Sequence, residues 1–235
     1  DDREGEALEI AEPGLVARIA ADPNRIIVAA AALTGAIEQA PSAVSAIKVD
    51  GRRAYDRVRG GEQVELQRRP VTIYEFSVSA PRAERVAGSD GARIDVLDFD
   101  AVVRCSSGTY VRALARDLGA VLGVGGHLTA LRRTEVGPFG VVDAVSNAAL
   151  AAGEVDRAAL RSPAEIAAAL FPVLRLTPQQ EIDLGHGKRL DLAEGQCEDT
   201  HLAAAIATDG RLIGLVEVKR ARPRVLTNFP QTPAP

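Results

Sequence analysis

The segment Cys105 to Gly137 reads CSSGTYVRALARDLGAVLGVGGHLTALRRTEVG. Val111, Leu114, Ala115, Leu118 and Leu122 recur at helical spacing, which predicts an amphipathic helix from Thr109 to Leu122. Arg112 then falls in the first turn of that helix. Free backbone N–H groups and the helix dipole favour an anion there. Arginine keeps its charge at any relevant pH and can grip a carboxylate or phosphate through two hydrogen bonds. The chemistry on offer is therefore the fixing of one anionic group at one spot. From the helix alone, an internal salt bridge with no catalytic role is the commoner outcome.

Other chemistries fit less well. Gly123 to His127, GVGGH, is glycine-rich, but it follows a helix and precedes an extended stretch. A dinucleotide loop needs the opposite order, so this is expected to be a helix C-cap and turn. Ser106 or Ser107, His127 and an aspartate could be assembled on paper into a triad. No GxSxG elbow is present, and serines before a helix usually serve as N-caps. His127, His186 and His201 lack metal-ligand spacing, and no metal site is expected.

The surrounding elements must position Arg112. Asp22-Pro23 opens a helix running through IIVAAAALT to Gly35, with Asp as N-cap and Pro at the first helical position. A strand is expected at Ser45–Val49, a turn at Asp50-Gly51 and a short helix at Arg52–Arg59. Val71, Ile73, Phe76 and Val78 predict a strand with one shift of register within the β-rich stretch Val64–Ala80. PRAERVAGSDGAR reads as a hairpin loop and Arg93–Cys105 as the returning strand, paired antiparallel. His127–Val136 is expected to be extended. Residues 141–172 are Ala-rich and helical, with turns at Gly153 and Ser162-Pro163. Thr177-Pro178 starts another short helix. LAAAIAT and LIGLVEV, joined at Asp209-Gly210, form a hairpin, followed by a strand around Arg224–Leu226.

Composition sets outer bounds. The chain has 235 residues, 46% hydrophobic and 26% charged, which suits one large domain or a medium and a small one. No stretch approaches the roughly 20 apolar residues needed to cross a bilayer. Cys105 and Cys197 are far apart and lack CxxC spacing, so a reduced, cytoplasmic protein is expected rather than a disulfide-linked one. There is no Met, and the first residues resemble the middle of a protein, so a truncated chain is expected. Lysine occurs only at Lys48, Lys188 and Lys219, against a background of arginine. The net charge of −4 does not advertise nucleic-acid binding, but its distribution is uneven. Residues 1–22 hold seven acids against two arginines. Residues 104–133 hold Arg104, Arg112, Arg116, Arg132 and Arg133 against Asp117 alone. Such a basic centre suits a phosphate-rich ligand, although a solvated face is the commoner meaning of a single surface arginine.

Two long segments carry a family resemblance. QAPSAVSAIKVDGRRAYDRVRGG, Gln39 to Gly61, is similar to the QxPSxxSAxKxxGxxxYxxAxxG region of the TruB-type tRNA pseudouridine synthases. CSSGTYVRALARDLG followed by GVGGHLTALRRTEVG resembles that family's third motif region. The spacing between the two also fits, and the end of the chain resembles the short PUA-like domain of actinobacterial members. The resemblance implies an α+β fold, with a mixed, mainly antiparallel sheet, flanking helices and a small β-rich PUA-like domain. It divides the chain into a catalytic domain at 1–172, a PUA-like domain at 173–229 and a disordered tail at 230–235.

The implied activity is isomerisation of uridine 55 in the TΨC loop of tRNA. The N-glycosidic bond is broken, the base rotated and rejoined through carbon, with no metal or organic cofactor. The target base is flipped out of its loop first, and the T-arm is read mainly by shape and phosphate contacts. The resemblance makes Arg112 the partner of the nucleophilic aspartate, which it would keep ionised in a desolvated pocket. It places Tyr110 and Leu131 along the uracil pocket, Lys48 near the RNA or the active site, and Tyr55, Arg132 and Arg133 on the RNA face. The bland alternatives are Leu131 in the core, Tyr55 packing a helix, and Arg132 and Arg133 as a solvated pair. Two motifs depart from the family pattern: the GxxGTLDPxATG segment with the nucleophile, and the KxY segment with the tyrosine that stacks on the uracil, are not found in the chain. DDREGEAL resembles the TxDxxG segment that follows both. The expectation is a soluble monomeric synthase, partnered by the tRNA T-arm and without membrane contact, whose 235 residues alone are inactive. The alternative is a non-catalytic tRNA- or RNA-binding or RNA-folding protein of the same fold.

Overall fold

The computed structural model describes residues 10–12, 14–41, 67–88, 91–156 and 160–229, together with the backbone of 48–49 and 52–53. The chain divides into two compact units, Asp1–Leu131 and Arg132–Pro235.

In the first unit, helix α1 spans Leu15–Ala21 and α2 spans Asn24–Ala32. The N-cap of α2 is Pro23 rather than Asp22, one residue later than expected. The chain then enters strand β1, Gly35–Gln39, which pairs antiparallel with β4, Arg69–Val78. Between them, β2 (Lys48–Val49) pairs with β3 (Arg52–Arg53) around the Asp50-Gly51 position. This corrects the helix expected from Arg52: its first two residues are strand, because they pair antiparallel with Val49 and Lys48. The rest of that expected helix, including Tyr55, lies outside the described residues.

Strand β4 carries the expected shift of register, between Ile73 and Glu75. Val71 and Ile73 are buried on one side of the irregularity, and Phe76 and Val78 are half-buried beyond it. The extra residue lets both pairs face apolar neighbours despite their odd spacing.

Two expectations fail in the next stretch. Arg82–Ala87, read as loop, is strand β5, and it pairs with β6, Arg93–Asp98. The run Arg93–Cys105 is two strands, β6 and β7 (Ala101–Cys105), with β7 returning to β4. Together β4 to β7 make one long hairpin bent at Ser79 and Asp100. There Ser79 N donates to Asp100 O (2.8 Å), and Asp100 N donates to Ser79 Oγ (2.9 Å). The outer half shows no apolar alternation because β5 is exposed on both faces. Cross-strand charges bind it instead: Arg82 to Asp98 at 2.7 Å and Arg85 to Asp95 at 2.7 Å.

Helix α3, Val111–Leu122, is the amphipathic helix expected from the sequence. Ala113, Leu114 and Leu118 are buried, and Leu118 joins Ala29 and Ala30 of α2 in a cluster completed by Leu33, Phe76, Val78, Phe99 and Leu122. The helix ends as expected. Gly123 adopts φ 75°, its N–H donates to Ala120 O (3.1 Å), and Val124 N donates to Gly119 O (3.0 Å). The chain then crosses back over the helix through Gly125 and Gly126. A Cβ on Gly119 would sit on the Gly125 carbonyl, and one on Gly126 would lie 2.5 Å from Ala115 O. His127–Val136 is not the expected strand. It is irregular up to β8 (Glu135–Val136), which pairs only with β9 (Phe139–Gly140).

In the second unit, α4 (Asn147–Ala152) ends at Gly153, and α5 (Pro163–Leu170) begins in a capping box between Ser162 and Glu165. A four-stranded sheet follows, in the order β10 (Val173–Arg175), β11 (Thr200–Ile206), β12 (Leu212–Lys219), β13 (Arg222–Asn228). Only the β10–β11 pairing is parallel. Helix α6, Pro178–Gly185, starts in a second capping box, Thr177 with Gln180. Its Leu184 packs with Leu174, Leu190, Ala203, Ile213, Val216 and Val218. The fold is thus α+β, with mixed, mainly antiparallel sheets and helices beside them.

Candidate active site

Arg112 is the second residue of α3, half-buried, directly after the turn that joins β7 to the helix. The local sequence builds that turn from side-chain to main-chain bonds. Ser106 N donates to Thr72 O (2.8 Å), and Ser106 Oγ accepts from Thr72 N (2.9 Å). Ser106 therefore ties the turn to β4 and does not cap the helix, as serines in this position usually do. Gly108 takes φ 85°, which reverses the chain without steric cost. Thr109 Oγ1 donates to Ser106 O (2.9 Å), closing the turn.

Tyr110 is the N-cap of α3, in extended conformation and with no side-chain cap. Its main chain is instead held from β1. Gln39 is buried (1% exposed). Its Oε1 accepts from Tyr110 N (2.8 Å) and its Nε2 donates to Tyr110 O (3.2 Å). One residue on, Ala40 O accepts from Arg116 Nη2 (2.9 Å). Arg116 also pairs with Asp117 at 2.8 Å. The end of β1 is thus fastened to the first two turns of α3, the turns that display Tyr110 and Arg112.

Arg104 lies over the Tyr74 ring, 5.2 Å from its centroid, and Arg116 is engaged as above. Leu131 is 61% exposed, so it is not a core residue, and it ends the first unit. Arg132 and Arg133 are exposed and begin the second. For Lys48 the structure describes the backbone, in β2. Asp117 is paired with Arg116, and Asp143 with Arg161 at 3.4 Å. Both cysteines are free. Among the described residues no group of three or more His, Cys, Asp and Glu is arranged to hold a metal, and no helix is long and apolar enough to cross a membrane.

Gln39 is the site residue for which the sequence reading gave no role. It was visible as the first letter of the QxPS segment, directly after a strand. Nothing in its neighbourhood signals a partner 71 residues away.

Three family models match in order along the chain. Residues 1–111 match the N-terminal domain of the TruB family pseudouridylate synthases. Residues 112–173 match the tRNA pseudouridylate synthase B C-terminal domain, and residues 171–230 match the C-terminal domain of tRNA pseudouridine synthase II. A protein of Leifsonia xyli subsp. xyli named tRNA pseudouridine synthase B is 51% identical over 230 residues, covering 98% of this chain and 71% of that protein. The chain belongs to the TruB pseudouridylate synthase family. Thermobifida fusca has another relative of the same name, 48% identical over 217 residues, which covers 92% of this chain and 68% of the relative.

The TruB fold also appears in more distant solved structures. One is a chain of an H/ACA RNP bound to a substrate RNA containing 2'-deoxyuridine (TM-score 0.56, 19% identity). Another is a chain of a Cbf5–Nop10–Gar1 complex (TM-score 0.54, 20% identity). In each case the match covers 88% of this chain and 61% of the other. The family is one of RNA isomerases. The split between the first two TruB models, after residue 111, falls at the start of α3, immediately before Arg112.

Proposed function

We propose that the protein to which these residues belong isomerises uridine 55 in the T-arm of tRNA. The observation that carries the reading is the mounting of Arg112: a half-buried arginine in the first turn of α3, on a turn fixed to β4 by Ser106 and to β1 by Gln39. A half-buried arginine displayed from a fixed turn suits a nucleophilic carboxylate that must stay ionised beside an apolar base. In this reading Arg112 fixes that aspartate, which lies in a GTLDP-type segment outside residues 1–235. The carboxylate bonds to C1′ of the ribose as the C1′–N1 bond breaks, and the freed base turns. C5 then bonds to C1′ as the carboxylate leaves, and the proton lost from C5 is balanced by one gained at N1.

Tyr110 and Leu131 line the uracil, with Lys48 near the RNA. Tyr55, Arg132 and Arg133 meet the RNA face. Residues 1–172 form the catalytic domain and 173–229 a PUA-like domain. The protein works in the cytoplasm, as a monomer, on tRNA named by relatives that share about half its residues.

The test is conversion of a T-arm stem-loop, read by mass spectrometry of the digested RNA. The full gene product is expected to form pseudouridine at the T-loop uridine. Residues 1–235 alone are expected to bind the stem-loop without converting it. A full gene product that binds the stem-loop and converts none of it would overturn the reading in favour of a non-catalytic RNA-binding protein.

A further inference from the structure

Among the described residues, Gln39 is the one buried polar side chain. It spends both of its amide groups on the main chain of a single distant residue. Tyr110 offers one N–H and one C=O, so only one orientation of the amide satisfies both: Oε1 toward the N–H at 2.8 Å, Nε2 toward the carbonyl at 3.2 Å. The pair copies, with a side chain, the two bonds that a neighbouring strand would make. It holds Tyr110 extended, at φ −100° and ψ 102°, immediately before α3 begins. Tyr110 O also accepts from Leu114 N (3.0 Å), so the same carbonyl carries the first bond of the helix.

Gln39 is also the last residue of β1, paired across the sheet with Arg69. Beyond it the chain leaves the sheet toward β2, which carries Lys48. The next residue, Ala40, is held by Arg116. One side chain thus joins the segment leading to Lys48 to the residue preceding Arg112.

We infer that Gln39 is a positioning residue for the reaction proposed above, setting the direction of Tyr110 and the first turn of α3 so that Arg112 meets its carboxylate. The inference rests on that reading of the site. Its action is indirect: Gln39 touches neither RNA nor the reacting atoms, and it fixes the frame of the residues that do. Removing it leaves the part-buried Tyr110 N–H without its acceptor and frees the turn to shift. A displacement of about 1 Å at a catalytic group lowers turnover by about 100-fold.

The experiment is single-turnover pseudouridine formation by the full gene product on a T-arm stem-loop. Wild type, Gln39→Leu and Gln39→Glu are compared from pH 5 to 9, with binding of the stem-loop measured in parallel. Leucine keeps the volume and loses both bonds. Glutamic acid reproduces both while protonated, accepting through its carbonyl and donating through its hydroxyl. Once ionised it cannot donate to the Tyr110 carbonyl. The neighbouring charges, Arg112, Arg116 and Asp117 on α3, Glu38 and Arg69 on the paired strands and Arg68 just before β4, are common to all three proteins. A difference between the profiles therefore belongs to position 39.

Gln39→Leu is expected to lose about 10- to 100-fold in rate across the range, with stem-loop affinity unchanged. Gln39→Glu is expected to approach wild type at the acid end and to fall away as pH rises. A Gln39→Glu protein whose profile parallels wild type overturns the inference, whether or not Gln39→Leu folds. So does a folded Gln39→Leu protein with the wild-type rate. A wild-type protein that converts nothing instead overturns the reading of the site, and this inference with it.

Discussion

Arg112 was legible in the sequence because charge, helical phase and motif coincide on one residue. The side chains that aim it were not. Gln39 and Ser106 act on main-chain atoms 71 and 34 residues away, and no local pattern reports such a bond. The position of Ser106 before a helix suggests a cap, whereas its hydroxyl accepts from Thr72 N on β4. Glu217 shows the same limit in the second unit. Its carboxylate, 12% exposed on β12, receives Lys219 at 2.8 Å, Arg224 at 2.9 Å and His201 at 3.4 Å. Hydrogen bonds from Lys219, then Arg224, hold its pKa down at about 2 against an ordinary 4.5. A carboxylate depressed on folding stabilises the fold above its unfolded pKa, and that share is lost as pH falls through the folded value. Glu217→Gln should therefore lower stability at pH 7 and make little difference at pH 2. Urea unfolding of the two proteins at both pH values checks this, and an equal loss at each would contradict it.

Elements with a strong apolar rhythm were legible: α2, α3, β4 with its shift of register, and the hairpin of β11 and β12. Those without one were not. Strand β5 is exposed on both faces and is held by main-chain bonds and ion pairs, so no alternation announces it. The expected strand at His127–Val136 failed for another reason. Its apolar residues follow a chain crossing that the glycines dictate, and Leu131 ends up exposed. That crossing gives a prediction at this scale. Gly119 has an ordinary helical conformation, so alanine there should raise helix propensity by about 1 kcal/mol. Yet its Cβ would fall on the Gly125 carbonyl, which is backbone and cannot step aside. Overpacking of this kind costs about 1–3 kcal/mol. Gly119→Ala is thus expected to lower the thermal midpoint by several degrees and to disturb the segment leading to Leu131. An unchanged or raised midpoint would show that the crossing is looser than described.

Across the whole molecule, the family and the α+β class were legible because two motif regions and a C-terminal resemblance lie in order along the chain. The division of the packed structure between Leu131 and Arg132 was not, because no composition shift marks it. A net charge of −4 conceals a basic centre, and the balance between them gives a prediction. Binding of a T-arm stem-loop should weaken steeply with salt, log affinity falling linearly with log salt concentration as phosphate counterions are released. Affinity insensitive to salt between about 50 and 200 mM would argue against a phosphate-rich ligand. The proposed hold of Arg112 on the nucleophile is open to single-turnover measurement of pseudouridine formation at the T-loop uridine, comparing the full gene product with its Arg112→Lys and Arg112→Ala variants. The predicted result is conversion by wild type and a loss of about 100-fold or more in both variants, since lysine cannot supply the bidentate grip and a buried carboxylate left unpaired costs about 3–5 kcal/mol. Conversion at the wild-type rate by a folded Arg112→Ala protein would contradict it.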